Sequence, residues 1–149
     1  NQGAAVFWTL HDDGSATSFS RNVATGATTK PWIEIAVAVQ ATEWVGFGIS
    51  ELGGMLGSDM VIFEVVNPKT VRDAHVVEER NPQDDDCNNW NFVNATIEDG
   101  WIILEILRDL DTGDNQDHAI VDDSSPYSPG TRFISAWGST GFGYHGTNV

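Results

Sequence analysis

Trp32-Ile33-Glu34-Ile35-Ala36-Val37-Ala38-Val39 is the stretch that decides the fold class. After Trp32 its large apolar side chains fall on odd positions, and Glu34, Ala36 and Ala38 fall on even ones. That period of two sends successive side chains to opposite faces of a strand. One face buries bulk; the other, furnished with alanines, lets something flat or closely packed approach. The strand segment is read as Trp32–Gln40, and outward in both directions the pattern recurs: Ala5–Leu10, Glu43–Ile49, Asp59–Val66, Thr70–Glu78, Trp90–Ile97, Trp101–Leu107 and Arg132–Trp137 are rich in Val, Ile, Phe and Trp and mostly alternate. Turn formers separate them, among them Asp12-Asp13-Gly14, Ala24-Thr25-Gly26, Asn67-Pro68, Asp99-Gly100 and Ser128-Pro129-Gly130, at the spacing of roughly ten residues that sandwiches and barrels show. Asp99-Gly100 predicts a hairpin feeding Trp101-Ile102-Ile103-Leu104 as a central strand buried on both faces. No long segment has helical periodicity; Asp114 to Ile120 predicts at most one short helical turn. The reading is all-β, an antiparallel β-sandwich.

At 149 residues the chain makes one domain, 1–149, with no linker or internal repeat. Its 40% hydrophobic content is that of a folded globule, and no apolar run approaches the ~20 residues of a membrane span, so this domain inserts in no membrane. Twenty-two acidic residues against 7 basic ones leave a net charge of −15. Such a surface repels a phosphate backbone, excluding nucleic acid, and suits a partner with a basic surface. The chain starts at Asn1 without a Met or an apolar leader, which we read as a mature domain excised from or processed out of a longer protein. Cys87 is the single cysteine, so there is no internal disulfide and no cysteine-rich zinc site. Asn94-Ala95-Thr96 fits an N-glycosylation acceptor at Asn94 and favours a secreted origin.

Nucleophilic hydrolysis lacks its pattern: no Gly-x-Ser-x-Gly occurs, and three aspartates before Cys87 disfavour a thiolate. His11, His75, His118 and His145 lack the spacing of a histidine metal centre. Gly138 to Gly143 has no phosphate-loop lysine and reads as a loop at the sandwich edge. The stretch Asp109, Asp111, Asp114, Asp117, Asp122, Asp123 offers hard oxygen ligands to calcium without matching an EF-hand, and it equally suits a solvated loop built on Asx-turns. Asp84-Asp85-Asp86 reads as a solvated acidic turn. The most informative segment is Trp44-Val45-Gly46-Phe47-Gly48-Ile49-Ser50 with Gly53-Gly54-Met55-Leu56-Gly57-Ser58-Asp59. Its glycines admit a flat object, and Met55 stands at a loop apex. Phe142-Gly143-Tyr144-His145-Gly146 places an imidazole in a similar loop. By residue type the two make a haem axial pair, or else the more common core thioether and hydrogen-bonded histidine.

These blocks, together with Leu107-Arg108-Asp109-Leu110-Asp111-Thr112-Gly113-Asp114, Phe133-Ile134-Ser135-Ala136-Trp137-Gly138 and Tyr144-His145-Gly146, resemble the DOMON domain. That module is the immunoglobulin-like β-sandwich of dopamine β-hydroxylase-like proteins and of the cytochrome domain of cellobiose dehydrogenase. The resemblance runs over nearly the whole chain. It implies, through the haem-bearing branch, a secreted or cell-surface b-type cytochrome domain, an electron relay and not itself an enzyme, with Met55 and His145 as ligands of the haem iron. Trp44 and Phe47 are expected at the porphyrin, in a slot between the sheets shared with Val61, Phe63, Trp101 and Trp137. Arg72, Arg80, Arg132 and Tyr144 are the candidate propionate partners, His75 is the reserve ligand, and Met60 is assigned to the core. Asp59 departs from the haem-bearing pattern, so its carboxylate has to face away or pair. The haem-free branch implies instead a carbohydrate- or ligand-binding module with exposed tryptophans and an optional calcium.

Overall fold

The computed structural model describes residues 3–11, 30–78, 81–121 and 130–143. Nine strands form: β1 Ala4–His11, β2 Trp32–Val39, β3 Trp44–Ile49, β4 Asp59–Glu64, β5 Arg72–Glu78, β6 Asn81–Asp84, β7 Asn91–Glu98, β8 Trp101–Asp109 and β9 Phe133–Gly138. They make a four-stranded sheet ordered β1-β2-β8-β7 and a five-stranded sheet ordered β6-β5-β4-β3-β9. The paired strands are antiparallel, so the all-β sandwich expected from the alternation is the fold observed.

Period two explains how the layers meet. Ile33, Ile35, Val37 and Val39 of β2 stand opposite Arg108, Ile106, Leu104 and Ile102 of β8, and this face is buried. Val45, Phe47 and Ile49 of β3 and Val61 and Phe63 of β4 supply the other half of one apolar core. Burying each such side chain contributes roughly 1.5–3 kcal/mol. Arg108 lies on this inward face at the end of the apolar ladder, fully buried. The β7–β8 hairpin closes at Asp99 (φ 51°) and Gly100 (φ 79°), the two positive φ values of a type I′ turn.

Three expectations are corrected. Strand β8 is not buried on both faces: Ile103 is 38% exposed because no element among the described residues covers the outer side of the four-stranded sheet there. Asp114 to Ile120 forms no helical turn, because the side chains of Asp111, Thr112 and Asp114 accept the backbone N–H groups of Gly113, Asp114 and Gln116, in competition with helical bonding. Asp84-Asp85-Asp86 is not simply a solvated turn. Asp84 ends the edge strand β6 and pairs with Arg72 at 2.6 Å, while the Asp85 side chain is fully buried against His75.

Candidate functional site

Residues 44, 46 and 48 of β3 share one face by the same parity that sends Val45, Phe47 and Ile49 into the core. That face looks away from the other sheet. Gly46 stands opposite Ile62 of β4 and Ala136 of β9, and Gly48 stands opposite Met60 and Ile134. The small residues leave a floor, walled by Trp44, Met60, Ile62 and Ile134, over which lies an apolar cavity of about 270 Å³. Phe142, from the segment after β9, closes one side with its ring 5.1 Å from that of Trp44.

The two floor glycines exist for different reasons. A Cβ on Gly48 would run into the backbone carbonyl of Asp59, whereas one on Gly46 would find only ordinary contacts, Trp44 at 3.7 Å and the Ala136 carbonyl at 3.8 Å. Gly46 is therefore required by neither packing nor backbone, and its absent side chain is what keeps the floor open.

Met55 reaches this cavity from the loop between β3 and β4. Ser50 Oγ accepts the N–H groups of Gly53 and Gly54, Ser58 Oγ donates to the Met55 carbonyl at 2.6 Å, and Gly53 and Gly57 take positive φ. The loop is thus pinned on both sides of Met55, which is half-buried while Leu52 and Leu56 beside it are exposed.

Among the residues singled out from sequence, Met55 and Trp44 line the cavity, and Phe47 borders it while its ring packs in the core against Trp90 and Phe133. Val61, Phe63 and Trp137 are also core residues. The slot expected between the sheets is therefore filled by side chains, and the cavity lies on the opposite side of the five-stranded sheet. Met60, expected in the core, faces the cavity, because odd and even residues of β4 divide between the faces. Arg72, held by Asp84 and 4.0 Å from Glu64, places its guanidinium 5.7 Å from the centre of the Phe142 ring. Arg132 does not line the cavity; it donates to the Glu51 carbonyl at 2.7 Å and packs beside Gly53. His75 is on the inward face, bonded to Asp85. Arg80, Tyr144 and His145 lie outside the described residues, and Gly143, just before the last two, borders the cavity. Asn94 is exposed on β7. Of the six tryptophans, Trp8 alone is largely exposed, which leaves one stacking platform of the kind a carbohydrate reading asks for.

On the inward face, next to Met60, Asp59 is completely buried. It faces away from the cavity and pairs, its Oδ2 accepting from Arg108 Nη1 at 2.7 Å and from the His118 N–H at 2.8 Å. Asp73 and Asp117 converge on it, one oxygen of each carboxylate lying within 4.8 Å of the others. Burial pushes Asp73 up to about 7, a rise opposed by the Asn89 N–H and reinforced by Asp117, Asp85 and Asp59. Asp85 and Asp117 are raised for the same first reason. In the stretch that suggested calcium, Asp111 and Asp114 are spent on Asx-turns, Asp122 and Asp123 lie outside the described residues, and Asp117 turns inward. Sequence reading has Gly46 and Phe142 only within their blocks, without placing them at a cavity on the outer face, and misses Ile62 and the gathering of Asp59, Asp73 and Asp117. The parity of Gly46 within an otherwise apolar strand was the one signal for the former.

The DOMON domain model matches residues 26–128, more than half of the chain, and the chain belongs to that family. DOMON domains are haem- or ligand-binding modules of extracellular or secreted proteins, binding or electron-transferring and not themselves catalytic. No helix among the described residues is long and apolar enough to cross a membrane.

Proposed function

We propose that this DOMON domain is a secreted or cell-surface b-type haem module for electron transfer, with Met55 and His145 as the axial pair. The observation that carries the reading is the apolar cavity over Gly46, with the Met55 thioether on its wall. A cavity of about 270 Å³ lies near the lower end of the roughly 300–1,000 Å³ of small-molecule sites, and its floor lacks the one Cβ that packing would have allowed. Bound haem would supply a one-electron Fe(III)/Fe(II) couple. The chain's own residues hold and tune it: Met55 offers a soft ligand that favours the reduced state, Trp44, Ile62 and Phe142 exclude water, and Arg72 offers a cation near the Phe142 edge. Gly143 borders the cavity, and His145 follows two residues later in sequence. With both axial positions taken by protein there is no open site for substrate, which suits a relay. The net charge of −15 would speed encounter with a basic redox partner and make it salt-sensitive. Secretion fits an N-glycan on the exposed Asn94.

The test is an absorption spectrum of the chain expressed with haem available. A Soret band with sharp reduced-state bands is expected, and Gly46→Val, which fills the floor, should abolish it while the fold persists. Met55→Ala and His145→Ala should each give a high-spin or empty form. A folded chain that stays colourless would sink the reading in favour of a haem-free module for a smaller apolar or carbohydrate ligand.

A further inference from the structure

The inward face of the five-stranded sheet carries a second arrangement, independent of the haem reading because it lies across the sheet from the cavity. We propose that Asp59, Asp73 and Asp117, with Asp85 beside them, bind one hard divalent cation of the calcium class.

Asp73, Asp117 and Asp85 are each held by one carboxylate oxygen and leave the other bare. Asp73 Oδ2 accepts the Asn89 N–H at 2.7 Å, and Asp117 Oδ2 accepts Asn89 Nδ2 at 3.0 Å. Asp85 Oδ1 takes His75 Nδ1. The remaining oxygens, Asp73 Oδ1, Asp117 Oδ1 and Asp85 Oδ2, are buried with no hydrogen-bond partner. The remaining Asp59 oxygen, Oδ1, has only a 3.5 Å contact from Trp90 Nε1. Asp73 is 5% exposed, and the Asp117 and Asp85 side chains are 1% and 0% exposed, so water does not readily satisfy them. A buried polar atom without a partner costs about 1–3 kcal/mol, more when charged, and two of these oxygens belong to Asp73 and Asp117, whose carboxylates converge with that of Asp59.

Arg108 does not fill that role. Its guanidinium takes Asp59 Oδ2 and stands 3.7 Å from Asp117 Oδ2, on the oxygens already engaged. One guanidinium and the His75 imidazole face four carboxylates. The spacing suits an ion: oxygens that each bind one calcium at about 2.3–2.6 Å lie at most about 5 Å apart, and Asp59, Asp73 and Asp117 each bring one oxygen within 4.8 Å of the other two. All donors are hard carboxylate oxygens, which favours calcium or magnesium over softer metals. The irregular placement of ligands from β4, β5 and two loops suits calcium's flexible shell better than magnesium's octahedron.

The full chain, stripped with a chelator and returned to neutral pH, would be titrated with CaCl2 by calorimetry and by terbium luminescence. Trp90, whose indole touches Asp59, is the antenna. The expected result is one ion per chain, a raised melting temperature, and terbium emission that CaCl2 quenches. Asp73→Asn and Asp117→Asn should each weaken affinity at least roughly tenfold, whereas Asp114→Asn should leave it nearly unchanged. Trp90→Phe should remove emission without removing binding, a control that stands even if the cluster variants fold poorly. A folded wild-type chain that takes up neither ion, its carboxylates shared instead by protons, would overturn the site. Binding of MgCl2 in preference to CaCl2 would overturn the choice of ion.

Discussion

Asp59 and Met60 are neighbours on β4, yet they face opposite worlds. Met60 looks outward to a cavity whose lining is mostly apolar. Asp59 looks inward to buried carboxylates, a guanidinium and an imidazole. The outer side is shaped by leaving atoms out, through Gly46 and Ala136; the inner side is shaped by putting charge in. One strand serves both because successive side chains of a β-strand belong to different surfaces. Substitutions on the two sides should therefore fail in different ways, the outer ones by losing a ligand and the inner ones by losing the fold.

The sharpest way to break this contrast is Arg108→Ala. Removing the guanidinium strands Asp59 inside the sandwich, and the loss of one partner of a buried pair costs about 3–5 kcal/mol. Urea unfolding monitored by tryptophan fluorescence should show it, and a loss below ~1 kcal/mol would contradict the pairing of Arg108 with Asp59 as a support of the fold.

The pH dependence of stability probes the same side. Asp73 carries a pKa raised from 3.8 to about 7, so with a chelator present the folded chain keeps a proton that the unfolded chain has released. Stability should then be highest near pH 4, fall as pH rises toward 7 and flatten above it. Asp85 and Asp117 act in the same direction. Melting temperatures across that range, with chelator and then with saturating CaCl2, would test it; a profile that rises with pH in chelator would contradict the arrangement.

The glycine pair sharpens the outer side. Gly48→Ala forces β4 to move and should cost about 1–3 kcal/mol by overpacking. Gly46→Ala should be the mildest change of the set, within about 1 kcal/mol of wild type and on the stabilising side, because a strand glycine carries excess unfolded-state entropy. Thermal melts of the two variants side by side decide it, and equal effects would show that the cavity floor is not open space.

How far the sequence reached follows the same parity. Eight strands were legible because Val, Ile, Phe and Trp alternate in them. Strand β6 was not, since Asn81-Pro82-Gln83-Asp84 has no apolar period and its proline is compatible only with an edge, which is where β6 lies. Met55 and Trp44, singled out from sequence, both line the cavity, but the sequence places the slot between the sheets because aromatic side chains are expected to gather around it. Phe47, Phe63 and Trp137 fill the interior instead. Had Gly46 and Gly48 been read against Val45, Phe47 and Ile49, the open floor would have fallen on the outer face. The aspartate gathering left no linear trace: Asp59, Asp73 and Asp117 come together only through the pairing of β4 with β5 and the path of the loop after β8, and Asp59 among apolar residues was the sole hint.

The pairing of β3 with β9, which sets Trp44 opposite Gly138, has a consequence for how the chain acquires its shape. The cavity floor joins segments far apart in the chain, and β2 meets β8 across a similarly long separation, Trp32 opposite Asp109. Closing such distant segments delays the reward of contact, so folding belongs to the slow regime of milliseconds to seconds typical of non-local β topologies. A nascent or truncated chain lacking β9 would own the thioether and the glycines but only part of the floor, so the cavity waits on the synthesis of β9.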